Sequence, residues 1–309
     1  MKPAILLTGK NGQVGSELLR TLPQIGEVTA LDRQQLDLSQ PDEIRRAIQT
    51  FRPALILNAA AYTAVDKAET DEDTARSVNA DAPAILAEEA KKIGASIVHY
   101  STDYVFDDSK TAPYEETDAP NPANVYGKTK LEGELAIQQS GVPYLIFRTT
   151  WVYATSGHNF LLTILRLATE KEELSVVHDQ IGAPTWNAEI ASATTAILRQ
   201  LYAQGRQSMS NVSGLYHMTA AGKTSWHEFA GAILQEAAAA RQDLPWMIRA
   251  TGNKPLIARR IIAITAQQYP TPAHRPHNSL LCNARLLETF GVQLMDWHTA
   301  LHCAFEREV

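Results

Sequence analysis

The sequence predicts an α/β fold, a doubly wound parallel sheet followed by a smaller α/β lobe. Three observations support this prediction. Short apolar runs alternate with segments of helical apolar spacing over residues 1–150, each run has the length of a strand, and the pattern becomes less regular over residues 151–309. With 309 residues, the chain is long enough for one large or two modest domains.

Five apolar runs in the first half predict strands that are buried on both faces, as in a parallel sheet. These runs are residues 3–9, 27–32, 54–61, 95–102 and 143–150. Helical spacing predicts helices after residue 12, over 39–51, over 71–93 with an interruption at 79–83, and over 124–139. Ser39 is the predicted N-cap of the second helix, with Pro41 in its first turn. Residues 107–123 are rich in Asp, Pro and Thr, which predicts a loop.

The second half of the chain predicts a mixed lobe with segments that return to the main sheet. Its predicted helices lie near 158–170, 187–203 and 224–240, and its short strands near 174–178 and 214–218. The proline-rich stretch 267–278 predicts an ordered loop at a site or interface.

The composition argues against several classes of partner. The formal net charge is −6, and no basic cluster marks a nucleic-acid partner. No apolar run approaches the ~20 residues of a membrane span, and the first apolar run meets glycine too early for a signal peptide. Cys282 and Cys303 are the two cysteines, and we expect free thiols in a reducing, cytoplasmic compartment.

A glycine-rich turn follows the first predicted strand. The stretch TGKNGQVG places Gly9, Gly12 and Gly15 between that strand and the first helix. Gly9 permits a tight turn, Gly12 lets backbone approach a pyrophosphate, and Gly15 lets the helix pack on the strand. The spacing is GxxGxxG rather than GxGxxG, but its strand-helix context predicts a Rossmann-like dinucleotide-binding domain at 1–150. The lobe at 151–309 would then bind the substrate.

Charged residues follow the second predicted strand. Asp32 ends it, where an acid can hold ribose hydroxyls, and Arg33 could instead face a 2′-phosphate. Asp37 could accept a hydrogen bond from an adenine amino group, and an ordinary strand-end turn is the alternative for these residues. The small residues of NAAAYT (58–63), at the end of the third strand, allow close approach of a cofactor.

A hydroxyl and a tyrosine-lysine pair predict acid-base chemistry. Thr102 and Asp103 close the fourth strand, at the end where such sheets bind ligands, although turn residues are the alternative. Tyr126 and Lys130 share one face of a helix. A nearby ammonium lowers the pKa of a phenol from about 10, which favours proton transfer. Thr102, Tyr126 and Lys130 therefore predict a proton-transfer set beside a nicotinamide, with a stray surface pair as the alternative.

These motifs resemble the extended short-chain dehydrogenase/reductase family, and within it the dTDP-4-dehydrorhamnose reductases, over essentially the whole chain. The supporting stretches are TGKNGQVG (8–15), NAAAYTAVDKAE (58–69), VHYSTDYVF (98–106), ETDAPNPANVYGKTKLEGE (116–134), FRTTWVY (147–153), DQIGAPT (179–185) and YPTPAHRPHNSLL (269–281). The resemblance implies reduction of the C4 keto group of dTDP-4-dehydro-β-L-rhamnose to dTDP-L-rhamnose, with NADPH or NADH. The product serves the synthesis of surface polysaccharides such as lipopolysaccharide O-antigen.

The resemblance also implies residue roles. Tyr126 would be the proton donor, Lys130 its partner and Thr102 the residue that tunes it. Thr102, Asp103 and Trp151 would contact the sugar, although a core tryptophan at the lobe junction is the alternative for Trp151. Together with the motifs above, the predicted cofactor-lining residues are Gly9, Gly12, Gln13, Val14, Gly15, Asp32, Arg33, Asp37, Leu38, Ala61, Tyr62, Thr63, Tyr100, Tyr126 and Lys130.

Some members of this family form a magnesium-linked dimer through a glutamate in the first helix and another shortly after GAPT. Glu17 fits the first position, whereas Glu189 lies one position late because WNAE follows Thr185. Solvated helix charges are the alternative for both glutamates. A Mg²⁺ site and a homodimer are therefore weaker expectations than the dinucleotide.

Other functions stay open at this point. One is another nucleotide-sugar reductase, a dehydratase or an epimerase of the same superfamily, but the dehydratases carry Asp-Glu after the threonine, and here Tyr104 follows Asp103. Another is a non-catalytic regulatory subunit that binds the dinucleotide. Such a subunit can lose its tyrosine or lysine, and this chain keeps both Tyr126 and Lys130.

Overall fold

The structure is a computed structural model that describes residues 2–205, 208–241 and 243–308. Its strands are β1 (Ala4–Thr8), β2 (Glu27–Leu31), β3 (Leu55–Asn58), β4 (Ser96–Thr102), β5 (Tyr144–Thr149), β6 (Val152–Tyr153), β7 (Glu173–Val177), β8 (Ile181–Gly182), β9 (Thr185–Trp186), β10 (Gly214–His217), β11 (Thr224–Ser225) and β12 (Arg260–Ile264). Its helices are α1 (Gln13–Thr21), α2 (Pro41–Phe51), α3 (Val65–Ala68), α4 (Glu72–Arg76), α5 (Ala82–Ile93), α6 (Val125–Ser140), α7 (Phe160–Ala168), α8 (Asn187–Gln204), α9 (Ser208–Asn211), α10 (Trp226–Ala239), α11 (Pro245–Thr251), α12 (Ala284–Phe290) and α13 (Trp297–Glu306).

Six parallel strands form the central sheet, in the order β2-β1-β3-β4-β5-β10. The chain order reverses between β1 and β3, because β2 lies on one side of β1 and β3 on the other. At such a reversal the connections leave the sheet in opposite directions and open a crevice at the carboxyl ends of the strands. The predicted doubly wound α/β fold is confirmed, and its ligand crevice follows from the strand order.

Both faces of the sheet are buried under helices. Successive residues of a strand point to opposite faces, so Ile5 and Leu7 pack with α1, α8 and α12, while Leu6 packs with α2, α5 and α6. This two-sided burial explains why the sequence shows continuous apolar runs instead of alternation.

The second half of the chain contributes to the sheet and also forms a cluster of its own. β10 is an edge strand of the main sheet, and α8 packs against α1. A separate apolar cluster, which includes Phe229 and Trp246, joins α7, α10, α11 and α13, beside the parallel pair of β7 and β12. The division into two domains at residue 150 stays a prediction. No helix of the described residues is long and apolar enough to cross a membrane.

The predicted N-cap of the second helix is wrong. α2 begins at Pro41 with Gln40 as its N-cap, and Ser39 lies outside it. The Ser39 hydroxyl donates instead to Asp37 Oδ1 at 2.8 Å. Proline is favourable at the first helical position because its missing N–H would have no partner there.

The other differences between prediction and structure are a helix interruption and several elements of the second half. The interruption predicted at 79–83 is a π-helical turn, Ser77–Asp81, which joins α4 to α5 without a break. The sequence prediction missed β12, α11, α12 and α13, since the second half lacks the strand-helix alternation that marks the first.

We expect Gly15→Ala to lower the free energy of unfolding by roughly 1–3 kcal/mol. A Cβ at Gly15 would lie 2.0 Å from the carbonyl oxygen of Gly9, so α1 would have to move away from the turn after β1. The matched control is Gly231→Ala in α10, where a Cβ meets no atom within 4 Å. That change should add about 0.5–1 kcal/mol. Urea unfolding measures both, and equal stabilisation by the two substitutions would contradict the close packing at Gly15.

Candidate active site

The turn after β1 forms a backbone cradle at the crevice. Gly9 has φ of +72°, and a Cβ there would lie 2.7 Å from the Ala60 backbone nitrogen. α1 begins at Gln13 with Gly12 as its N-cap, and no side chain of the described residues caps it. Its first N–H groups are therefore available to an anion, as a dinucleotide pyrophosphate requires. The residues present fit the predicted cofactor.

The acid at the end of β2 is paired with a lysine that the sequence prediction missed. Lys10 Nζ lies 3.2 Å from Asp32 Oδ2, and Arg33 instead lies 3.8 Å from Asp37. Hydrogen bonds from the Ser39 backbone and hydroxyl lower the pKa of Asp37. Lys10 lies inside the glycine motif, and this position was the sequence signal that could have identified it as a site residue.

The segment after β3 is fixed by a buried asparagine. Asn79 Oδ1 accepts from the Tyr62 N–H at 2.9 Å, and its Nδ2 donates to the Tyr62 carbonyl at 3.1 Å. The Tyr62 hydroxyl donates to Asp71 Oδ2 at 3.0 Å. Ala61 and Thr63 flank this anchored tyrosine at the crevice, with Thr63 exposed.

Three other predicted cofactor residues face the interior. Leu38 packs in the core with α2, and Val14 packs beside α8. Tyr100 is 8% exposed, and its hydroxyl lies 2.8 Å from Thr194 Oγ1. Contact of these side chains with a cofactor stays a prediction.

Tyr126 lies in the first turn of α6, and its position is fixed from several directions. Asn124 caps the helix, with its Oδ1 accepting from the Gly127 N–H at 2.8 Å. A Cβ at Gly127 would lie 2.0 Å from the Tyr104 carbonyl oxygen, so this glycine lets α6 approach the segment after β4. The Tyr104 ring meets the Tyr126 ring edge-on at 5.6 Å.

The expected lowering of the Tyr126 pKa is wrong for this structure. Desolvation raises the pKa of Tyr126 to about 12, against a lowering hydrogen bond from Thr102, and the charge of Asp103 adds to the rise. The Lys130 amino group does not offset this rise, because it is hydrogen-bonded to His99 Nε2 and the Tyr100 carbonyl. The phenol is therefore protonated at neutral pH, the form that a proton donor needs.

Lys130 is buried, with 1% exposure. Its Nζ donates to the Tyr100 carbonyl at 2.6 Å and lies 3.1 Å from His99 Nε2. Desolvation lowers the pKa of Lys130 to about 8, although the charge of Glu134 favours the ammonium form. His99 was missed, although a histidine inside an apolar strand was a visible signal.

A buried ion pair holds α6 against β5. Arg148 donates to both carboxylate oxygens of Glu134, at 2.9 Å and 2.6 Å, and both side chains are at most 4% exposed. The two parallel hydrogen bonds fix the orientation of the helix as well as its distance. Glu134 stands one turn beyond Lys130, so the pair anchors the helix that carries the site.

Thr102 and Asp103 lie at the end of β4, beside Tyr126. The Thr102 hydroxyl donates to Asp103 Oδ1 at 3.2 Å and accepts from the Tyr104 N–H at 3.2 Å. Burial raises the pKa of Asp103 to about 6, against the lowering effect of neighbouring hydroxyl groups, Ser279 first. The structure thus brings together the predicted Thr102, Asp103 and Tyr126.

Trp151 has an unusual backbone and a stacked partner. Its φ is +46°, a left-handed conformation that is strained for a bulky residue. Its ring stacks on Trp226 with centroids 3.5 Å apart, and a Cβ at Gly182 would lie 2.5 Å from it. Trp226, 75 residues away, was missed by the sequence analysis. Trp151 is only partly buried, so contact with a sugar stays a prediction.

The second half of the chain is tied to the crevice through the glycine motif. Asn187 Nδ2 donates to the Gln13 carbonyl at 2.7 Å, and Asn159 Nδ2 donates to Gln13 Oε1 at 3.1 Å. The proline-rich loop also contacts the start of α6, because Asn124 Nδ2 donates to the His274 carbonyl at 2.8 Å. The two halves therefore meet at the expected ligand position.

The two candidate magnesium ligands have other partners. Glu17 lies 3.1 Å from Arg20 and 2.8 Å from Arg307, and Glu189 Oε2 accepts from the Met295 N–H at 3.2 Å. Within the described part of the chain, no three His, Cys, Asp or Glu residues form a cluster that could hold a metal.

Comparison with known proteins places this geometry in a family. The family model of the RmlD substrate binding domain matches residues 1–309. The chain is 48% identical over 297 residues to a dTDP-4-dehydrorhamnose reductase of Burkholderia thailandensis, covering 96% of each chain. It is 42% identical over 301 residues to the enzyme of that name from Escherichia coli, covering 96% of this chain and 95% of the relative.

A solved structure has the same fold over its full length. This is a dTDP-4-dehydrorhamnose reductase from Bacillus anthracis in complex with NADP, with a TM-score of 0.86 and 31% sequence identity. The match covers 99% of this chain and 99% of that one.

The burial of Lys130 predicts a pH dependence of stability. The pKa of Lys130 is about 8 in the folded protein, against 10.5 ordinarily. Above pH 8 the unfolded chain therefore binds more protons than the folded protein, and the free energy of unfolding rises with pH. Relative to Lys130→Met, the wild type should gain roughly 2 kcal/mol between about pH 8 and about pH 10. Lys128→Met, on the exposed face of α6, is the control. Denaturant unfolding at both pH values measures the change, and identical pH dependence in all three proteins would exclude a desolvated Lys130.

Proposed function

The chain belongs to the family of the RmlD substrate binding domain, and on that premise we propose that it is a dTDP-4-dehydrorhamnose reductase. It reduces the C4 keto group of dTDP-4-dehydro-β-L-rhamnose to give dTDP-L-rhamnose, with NADPH or NADH. The product serves the synthesis of rhamnose-containing surface polysaccharides. The observation that carries the proposal is that Tyr126 lies beside Thr102 and Asp103 at the carboxyl end of β4, with Lys130 one turn further along α6.

The proposed mechanism is hydride transfer to C4 with proton donation to the carbonyl oxygen. The bound nicotinamide supplies the hydride. Tyr126, protonated at neutral pH, donates its phenolic proton to the oxygen at C4, which becomes the product hydroxyl. The Thr102 hydroxyl, which donates to Asp103 in this structure, turns to donate to that oxygen, and the positive charge of Lys130 favours the phenolate left behind.

Cofactor binding is assigned to the backbone cradle and the residues around it. The N–H groups at the start of α1 bind the pyrophosphate, beside Gly9 and Gly12. Asp32 and Lys10 together face the adenosine ribose, where the acid suits a diol and the lysine suits a 2′-phosphate. The segment 61–63 lines the nicotinamide side. The remaining space, bounded by Asp103 and Trp151, would hold the sugar.

The competing functions are less well supported. A dehydratase needs a base directly after Asp103, and Tyr104 occupies that position. A regulatory subunit would gain nothing from a buried, desolvated lysine beside the crevice, whose burial costs stability. We also propose a cytoplasmic location, which the two free cysteines fit, and a homodimer.

The assay is oxidation of NADPH on addition of dTDP-4-keto-6-deoxy sugars, with the product identified by NMR. Consumption of NADPH with formation of dTDP-L-rhamnose supports the proposal. Tight NADPH binding without consumption would favour the regulatory subunit, and a 4-epimeric or dehydrated product would favour the other enzymes.

Tyr126→Phe should bind NADPH normally and lose at least ~100-fold in turnover, because general acid catalysis is removed. The control is Tyr216→Phe, which removes a phenol that donates to the Val212 carbonyl at 2.7 Å, in the core behind the site. That variant should keep near-normal turnover. Equal kcat values for Tyr126→Phe and wild type would remove Tyr126 as the acid.

Both cofactors should be accepted, with a preference of about tenfold or less, since exposed charges of opposite sign contribute little and oppose each other. Lys10→Ala should shift the kcat/KM ratio toward NADH, because Asp32 would lose its 3.2 Å cation and repel a 2′-phosphate more strongly. Arg33→Ala is the matched comparison. It should shift the ratio in the same direction by less, since Arg33 is 78% exposed and paired with Asp37. A shift toward NADPH in Lys10→Ala would contradict this arrangement.

A further inference from the structure

Four polar side chains form a buried chain from α6 to β1. Lys130 Nζ lies 3.1 Å from His99 Nε2, and His99 Nδ1 lies 3.1 Å from Asn58 Nδ2. Asn58 Oδ1 accepts from the Thr8 hydroxyl at 2.7 Å. All four residues are at most 2% exposed, so they must satisfy one another's hydrogen bonds without help from solvent.

The orientation of Asn58 fixes the protons of this chain. The Thr8 hydroxyl donates to Asn58 Oδ1, so Asn58 Nδ2 is a donor and His99 Nδ1 must accept. A neutral imidazole carries one proton, which then lies on Nε2 and points at Lys130 Nζ. The lysine accepts it with its lone pair as a neutral amine, and donates one N–H to the Tyr100 carbonyl at 2.6 Å.

A second arrangement uses the same atoms, with Asn58 Nδ2 donating to the Thr8 hydroxyl oxygen. A half-turn of the Asn58 amide presents its oxygen to His99, whose proton then lies on Nδ1. His99 Nε2 becomes an acceptor, and Lys130 donates to it as an ammonium ion. In both arrangements one lysine N–H is left over, because the ammonium has one more hydrogen and makes one more donation.

We propose that His99 is a positioning residue for the reaction proposed above: by exchanging which ring nitrogen carries its proton, it keeps its hydrogen bond to Lys130 Nζ in both protonation states of the lysine. We call this exchange of the imidazole proton the His99 switch. Asn58 and Thr8 complete the hydrogen-bonded chain on the side of His99 away from Lys130. The chain ends at Thr8 inside the sheet, so it orients the lysine and does not carry protons out of the site.

The groups around Lys130 determine the pH at which the His99 switch occurs. From its own helix, Glu134 favours the ammonium, but Arg148 of β5 engages both oxygens of that carboxylate. Desolvation and the charge of Lys130 hold the pKa of His99 well below its usual range, so the imidazole stays neutral while the lysine, with a pKa of about 8, titrates. Tyr126, the other titratable group on this face of α6, stays protonated, since its pKa is raised to about 12.

The direct test is nitrogen-15 NMR of histidine-labelled protein, without substrate. His99 is assigned as the signal lost in His99→Gln. We expect a neutral ring at every pH, with its proton on Nδ1 well below pH 8 and on Nε2 well above it, and a midpoint near the pKa of Lys130, about 8. A single tautomer across this range, or a ring that becomes doubly protonated, would overturn the proposal.

A substitution tests the same switch through catalysis. Asn58→Asp keeps the shape but supplies two acceptors, so it should lock the His99 proton on Nδ1 and stabilise the Lys130 ammonium. The alkaline limb of the kcat profile should then move up by about one pH unit or more. The control is Asn283→Asp, which adds the same charge at a residue that contacts Thr219 behind the site. An unmoved limb in Asn58→Asp, with a normal fold, would overturn the proposal.

The two tests separate this proposal from the proposed function. If the sugar is not reduced, the reductase assignment fails, while the tautomer measurement on the free protein still decides the role of His99. If Asn58→Asp does not fold, the wild-type titration decides alone. If the sugar is reduced but His99 keeps one tautomer, only the positioning role fails.

Discussion

The burial of one amino group constrains the rest of the site. Lys130 is 1% exposed, and its amino group lies between α6 and β4, where an ammonium ion is costly and an unpaired neutral amine is costly to a smaller degree. Hydrogen bonds of Lys130 Nζ to the Tyr100 carbonyl and to His99 offset this cost. The anchoring of α6 by Asn124 and by the Glu134–Arg148 pair serves the same end, because a helix free to shift could not hold these contacts.

The strand order supplies the place where this lysine is useful. The reversal between β1 and β3 opens the crevice, and glycines let the surrounding backbone close up on it. Gly9 meets the Ala60 backbone, Gly15 meets Gly9, and Gly127 meets the Tyr104 carbonyl. Each contact is too short for a Cβ, so glycine is required at these positions for steric reasons. The sheet, the glycine-rich turn and α6 are therefore parts of one packing arrangement.

Local signals in the sequence were sufficient for the fold class, the glycine-rich turn and the helix that carries Tyr126 and Lys130, because each depends on residues close together in the chain. Long-range partners were not predictable in this way. Trp226 stacks on Trp151, and Asn58 lies between Thr8 and His99, only after the strands and lobes are assembled. The sign of the Tyr126 pKa shift was wrong for a related reason. Helical spacing shows that a phenol and an ammonium share a face, but burial and a competing partner for the lysine decide what the phenol experiences.

The most direct test is a pH titration of Lys130 itself in the folded protein, by carbon-13 NMR of labelled lysine side chains. The Lys130 signal is identified by its loss in Lys130→Met. Desolvation by α6 and β4 predicts titration at about pH 8, while an exposed lysine such as Lys128 reports on the spectrum as an internal reference. Titration of Lys130 near the ordinary 10.5 would contradict the account, since the amino group would then be solvated and free to act on Tyr126 directly.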